Sequence, residues 1–179
     1  EKSLREQVLN PYILHLATHG FYLPDSDIGC MVKSGLALAG AQSTLNSWGK
    51  GVIPHPDNDG ILTPSEAANL NLQGTWLVVL SACDTGRGKI VAGEGVLGLR
   101  RAFIQAGAQN LLLTLWPVDD KQTIPFMKEF YERAMADGDA PESLAKVQTE
   151  HLVKLRDVLG TRLAVQFAGP FIMSFQGAE

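Results

Sequence analysis

The apolar residues of the chain fall into short unbroken runs separated by stretches with three- and four-residue periodicity. Residues 12–17 (Tyr-Ile-Leu-His-Leu-Ala) form an apolar, partly β-branched run that stops at Thr18-His19-Gly20. Residues 75–82 (Thr-Trp-Leu-Val-Val-Leu-Ser-Ala) repeat that design and stop at Cys83. A third run, 110–116, halts at Pro117, which has no N–H to give a central ladder. Unbroken runs of this length predict strands buried on both faces, as in a parallel sheet between two layers of helices. A last strand is predicted at residues 171–175.

Helical patterns lie between these runs. Thr63-Pro64-Ser65-Glu66 has an N-cap residue, a proline at the first helical position and a glutamate at the third, which is a capping box. Residues 96–106 set Val96, Leu99, Phe103 and Ala106 on one face, and Gly107 follows as a stop. Residues 121–135 and 143–159 read as longer amphipathic helices, the second with Leu144, Val147, His151, Leu155 and Val158 on one face. By position, His15 reads as a core residue of its strand and His151 as a packed one.

Residues 21–60 break the alternation, being rich in Gly, Ser, Asn, Asp and Pro and too long for an ordinary connection. Residues 35–39 and 60–63 look like two arms of a hairpin around a mobile tip, a flexible insertion beside a strand end where a substrate loop would sit. The element order implies one α/β domain over residues 1–179, with a mainly parallel sheet, helices on both faces and right-handed crossovers. Ligands of such sheets bind beyond the carboxyl ends of the strands. His19, Cys83 and the pair Asp119-Asp120 end three runs, so topology draws them together.

Composition narrows the partners. With 19% charged residues and a net charge of −4, the chain has no basic field for a phosphate backbone, and direct nucleic-acid binding is not expected. No apolar run approaches the roughly 20 residues of a spanning helix, so no membrane partner is expected. No secretory leader is visible in the first residues, which makes a cytosolic setting the expectation. The two cysteines, Cys30 and Cys83, and four histidines show no metal-ligand spacing, and neither a disulfide framework, a metal nor a cofactor is implied. The glycines at 86, 88, 93 and 95 lack both phosphate-binding fingerprints.

A cysteine becomes a nucleophile when its thiolate is available, and a neighbouring histidine both favours ionisation and returns a proton to a leaving amine. Taken alone, a cysteine at a strand end is more often a small buried apolar residue. The wider pattern is more specific. Leu16-Ala17-Thr18-His19-Gly20, Gly60-Ile61-Leu62-Thr63, Val79-Leu80-Ser81-Ala82-Cys83-Asp84-Thr85-Gly86, Gly93-Glu94-Gly95-Val96 and Leu115-Trp116-Pro117-Val118-Asp119-Asp120 occur in that order along nearly the whole chain. The series resembles the CHAT family, named in part for its association with helical TPR repeats and similar to caspases, separases and gingipains.

The resemblance implies a caspase-like three-layer fold and a cysteine peptidase with Cys83 as nucleophile and His19 as proton donor. It implies an oxyanion hole from the backbone N–H groups of Gly20 and Cys83. The segment 116–120 is similar to the separase Trp-x-Val-x-Asp motif, which puts Asp120 in a pocket for a basic P1 side chain, with Asp84 and Glu94 as helpers. Asp119-Asp120 reads equally as a helix N-cap, and one residue could cap while the other binds. Glu94 suits a helix N-terminus at least as well as a pocket. A caspase-type pocket would need arginines instead; Arg87, Arg100 and Arg101 lie nearby in sequence, but the latter two fall on the crossover helix and read as solvated or paired.

Two strands that precede the histidine strand in a full caspase-like sheet are not evident, so the chain reads as the carboxyl-terminal portion of a larger unit. The expected partners are a protein or peptide substrate and a TPR or other helical-repeat sensor region in the same or a partner chain. A catalytically silent scaffold is the alternative, and a flavodoxin-like signalling domain ranks below both.

Overall fold

The computed structural model describes residues 4, 10–22, 34–48, 50–52, 59–81, 94–116 and 118–176, with the backbone alone at 22, 45, 48, 94–97 and 120. The first half holds β1 (Ile13–Ala17), β2 (His19–Tyr22), β3 (Ser34–Ala37), α1 (Ala41–Trp48), β4 (Ile61–Leu62), α2 (Pro64–Ala68) and β5 (Leu77–Ser81). The second half holds α3 (Glu94–Gln105), β6 (Asn110–Thr114), α4 (Asp120–Asp137), α5 (Ala140–Leu159), α6 (Thr161–Ala168) and β7 (Phe171–Phe175).

The main sheet has the order β1-β5-β6-β7. β1 with β5 and β5 with β6 are parallel, and β7 closes antiparallel on β6. Side chains alternate across it into two cores, which makes the fold a three-layer α/β sandwich. Val78, Leu80, Leu111 and Leu113 meet Ala67 of α2 and Leu99, Ala102 and Phe103 of α3 on one face. Leu77, Val79 and Leu112 meet Phe126, Met127 and Phe130 of α4, Leu144 and Val147 of α5 and Ala168 of α6 on the other.

Local chemistry sets the helix ends. The Thr63 hydroxyl accepts from the Glu66 N–H at 3.2 Å while the Glu66 carboxylate accepts from the Thr63 N–H at 2.8 Å, so the capping box forms as the sequence predicts. Asp139 caps α5 by accepting from the Glu142 N–H at 2.8 Å. α4 ends on Gly138 at φ 70°, a left-handed turn that suits glycine. α4 and α5 are clasped by Arg133, which donates to both oxygens of Glu150 at 2.8 and 3.0 Å and to Glu129 at 3.2 Å. The neighbouring His151 pairs with Glu129 at 2.9 Å and sets its ring against Phe126 at 5.1 Å, the packed position expected of it.

The structure corrects several expectations. Burial on both faces holds for β5 and β6, but β1 lies at the edge of the sheet and exposes His15 and Ala17. His15 is therefore not a core residue. The apolar face of α5 ends before Val158, which is 79% exposed, because the chain turns at Gly160 into α6, a helix the sequence pattern did not predict. The segment 21–60 is not wholly a flexible insertion. Its two predicted arms do pair, Leu36 with Leu62 and Ala37 with Ile61, but β2 joins them in a second sheet of order β2-β3-β4, and α1 fills part of the expected tip.

Candidate active site

The carboxyl ends of β1 and β5 define the site. Their parallel register runs from Ile13 beside Leu77 to Ala17 beside Ser81. Neighbouring strands lie about 4.8 Å apart, so the chain leaves the sheet at two adjacent points. His19 and Cys83 each follow two residues after that last pair. Beyond β1 the chain bends at Thr18, whose hydroxyl donates to the Ala37 carbonyl, and enters the small sheet, with His19 beside Ala37 and Gly20 beside Leu36. His19 is thus the first residue of an antiparallel strand rather than part of a loose turn. It is exposed, and Gly20 is half-buried.

The small sheet is anchored well enough to hold that position. Leu36, Ile61 and Leu62 are at most 1% exposed, and Leu36 and Leu62 join the core under α3. Gly60, at φ 75°, makes the corner between α1 and β4. A Cβ there would strike the backbone of Ala39, Gly40 and Ala41, so only glycine fits. Its carbonyl accepts from the Leu38 N–H at 2.7 Å, and the Asp59 carboxylate accepts from the Ile61 N–H at 2.8 Å.

After β6 the segment toward α4 is held by two bonds. The Leu115 N–H donates to the Pro170 carbonyl at 3.0 Å, and the Trp116 indole N–H donates to the Gln166 carbonyl on α6 at 3.0 Å. Asp119 is the N-cap of α4, its carboxylate accepting from the Lys121 N–H at 2.9 Å. Of the two aspartates the sequence left open, Asp119 thus takes the cap. Asp120 is the first residue of α4 and Glu94 the first of α3. Cys83, Asp84, Cys30, His55 and Arg87 lie outside the described residues. Arg100 and Arg101 are exposed on α3 and line a shallow groove of ≈ 330 Å³ with Ile104, Ser174 and Phe175. That groove borders β7, the edge opposite β1, which separates these arginines from His19.

A polar chain that sequence reasoning missed lies beside the same strand ends. His15 Nε2 is 2.8 Å from the Ser81 hydroxyl, and Nδ1 is 3.0 Å from the Tyr131 hydroxyl of α4. Burial lowers the His15 pKa below its ordinary 6.5 and pushes the Tyr131 hydroxyl up to about 12. Both groups are therefore uncharged near neutral pH. The one sequence signal was a histidine inside an apolar run. Its partners, 66 and 116 residues away, gave none. Among the described residues no three His, Cys, Asp or Glu side chains could hold a metal, and no helix is long and apolar enough to cross a membrane.

Comparison with known proteins agrees with this architecture. The model of the CHAT domain matches residues 1–169. Tetratricopeptide repeat protein 28 of Mus musculus is 35% identical over 91 residues, 51% of this chain and 4% of that protein. Its namesake in Homo sapiens is 38% identical over 76 residues, 42% of this chain and 3% of that protein. The chain thus corresponds to a small part of these much longer relatives. With a mainly parallel sheet between helical layers and a family match over nearly its full length, the chain belongs to the CHAT domain family, whose fold is caspase-like.

Proposed function

We propose that this CHAT domain is a cysteine endopeptidase with a His19/Cys83 dyad, cleaving a protein after a basic residue. The observation that carries this reading is the β1–β5 register, which brings the chain to Ala17 and Ser81 side by side, two residues before each member of the dyad. In the proposed reaction the Cys83 thiolate attacks the scissile carbonyl and forms a C–S bond. The C–N bond breaks as the His19 imidazolium gives its proton to the leaving amine, and water then hydrolyses the thioester. The N–H groups of Gly20 and Cys83 would hold the oxyanion, where charge develops in the transition state. With Asp119 engaged as a cap, Asp120 is the acidic residue left to meet a P1 Arg or Lys, with Asp84 and Glu94 as helpers. The curated relatives are named for tetratricopeptide repeats, which supports a helical-repeat region in the same or a partner chain as the sensor that regulates cleavage.

The test is covalent labelling with a peptidyl-Arg electrophile, followed by a fluorogenic peptide panel. The dyad reading expects modification of Cys83 that is lost in Cys83→Ala and strongly slowed in His19→Ala. Labelling at Cys30 instead, or labelling that survives both changes, refutes it and leaves the scaffold reading. Cleavage after Asp but not after Arg or Lys refutes the acidic pocket.

A further inference from the structure

β7 is an edge strand, and among the described residues no further strand pairs with its outer side. Its hydrogen bonding can be assigned residue by residue. In the antiparallel register that sets Phe175 beside Asn110, the Gln176 N–H donates to the Gln109 carbonyl and the Leu115 N–H to the Pro170 carbonyl, both at 3.0 Å. Bonded and non-bonded pairs alternate along such a ladder. Ile172 and Ser174 therefore turn their backbone groups toward β6, and Phe171, Met173 and Phe175 turn theirs outward. The Gln148 side chain donates to the Phe171 carbonyl at 3.1 Å, while the N–H and C=O groups of Met173 and Phe175 have no partner among the described residues. Edges of this kind are usually blunted by a charge, a proline or a bulge. Residues 171–175 are Phe-Ile-Met-Ser-Phe and pair without interruption with 114–110.

The groove of ≈ 330 Å³ that borders this edge is lined by Arg100, Arg101, Ile104, Ser174 and Phe175. The Gln176 side-chain amide donates to the Ile104 carbonyl at 3.2 Å and ties the end of β7 to α3. Both guanidinium groups are exposed and have no ion pair among the described residues, whereas Lys128, Arg133, Lys146 and Arg156 each meet a carboxylate. The geometry points to β7 as a docking edge for an extended acidic segment of a partner protein. The segment adds as a strand whose backbone bonds the outward groups of Met173 and Phe175, and every second side chain, on the α3 face, brings a carboxylate to Arg100 and Arg101. A second copy of this chain fits less well, because two β7 edges paired about a two-fold axis set the arginines of one copy against those of the other. The net charge of −4 repels an acidic peptide at long range, so a preference for one has to come from these two arginines. The site is separate from the proposed dyad, at the edge of the sheet opposite β1.

The experiment is fluorescence anisotropy of the full chain with a labelled peptide of alternating Glu and Val, beside a Lys/Val peptide and a backbone N-methylated Glu/Val peptide. Saturable binding is expected for the unmodified Glu/Val peptide and neither of the others. Arg100→Glu combined with Arg101→Glu should weaken it by about tenfold or more, the effect of losing charge-assisted hydrogen bonds. Met173→Pro, which removes an outward N–H and leaves the β6 ladder intact, should also weaken it by about tenfold, with thermal melting measured on each variant. If Met173→Pro does not fold, the N-methylated peptide makes the same test of the edge on the unaltered chain. Absence of binding, equal affinity for the Lys/Val peptide, binding unchanged in the arginine variant, or an N-methylated peptide that binds as well as its parent overturns the proposal. Self-association of the free chain that Met173→Pro abolishes also overturns it, by giving the edge to a second copy.

Discussion

β1 and β5 are partners in one parallel pair and look alike as sequence, yet they occupy different environments. In β5, Leu77, Val78 and Val79 are at most 1% exposed, because the strand has neighbours on both edges and helices on both faces. In β1, Leu14 is buried while His15 and Ala17 reach solvent, and the outer edge pairs with no strand among the described residues. The apolar run gives hydrophobic driving force to both strands. Position in the sheet decides which of them can carry a polar group that stays in contact with water. The difference suits the proposed chemistry, since the strand preceding Cys83 is rigidly buried and the one preceding His19 offers a half-exposed imidazole beside it.

The largest expected effect sharpens that contrast. Leu77→Ala, at a 0% exposed site, should cost about 4 kcal/mol, while Leu14→Ala, 8% exposed on the edge strand, should cost about 2 kcal/mol, both read by urea denaturation. Equal losses would break the distinction between centre and edge. Next, Gly60→Ala should destabilise by more than about 1 kcal/mol, because φ 75° and the neighbouring backbone both reject a Cβ. If the small sheet is what holds His19, thiol labelling should fall further in this variant than its melting temperature alone explains.

A smaller effect concerns pH. The folded-state pKa of His15 lies below its unfolded value of 6.5, so between the two the unfolded chain binds more protons and stability rises with pH. The contribution is present above 6.5 and is lost as pH falls through the lower folded value. His15→Asn should flatten that part of the stability–pH curve, whereas substituting Val79, its partner in β5, should lower the curve without changing its slope. The smallest effect is expected far from the pair. Hydrogen bonding from Arg133 lowers the Glu150 pKa from 4.5, so the α4–α5 clasp is present above that value and is lost as pH falls through the lower folded value. Glu150→Gln should remove this acid dependence, and added salt should weaken it because the pair is solvent-screened.

Much of the architecture could be read from local pattern. The capping box at Thr63 and Glu66, the glycine stop after α3 and the family motifs all depend on residues close in sequence, where backbone sterics and hydrogen bonding act directly. The alternative left open at Asp119-Asp120 also needed only local geometry, and the structure gave the cap to Asp119. The errors have one cause. β1 was read as buried because an apolar run carries no information about how many strands flank it, and His15 was assigned to the core with it. Arg100 and Arg101, read from sequence as solvated or paired helix residues rather than pocket residues, are exposed on α3 in a groove that borders β7.

By itself the sequence determined the apolar strands of the main sheet, the capped helix after Thr63, the family and the identity of the candidate dyad, since these follow from side-chain period, capping chemistry and motif order. Only the tertiary structure decided which strands are central, that His19 opens a second sheet, and that His15 meets Ser81 and Tyr131. Those facts rest on strand order and on contacts spanning 66 and 116 residues, set by how the layers bury their shared surfaces rather than by any local preference of the chain.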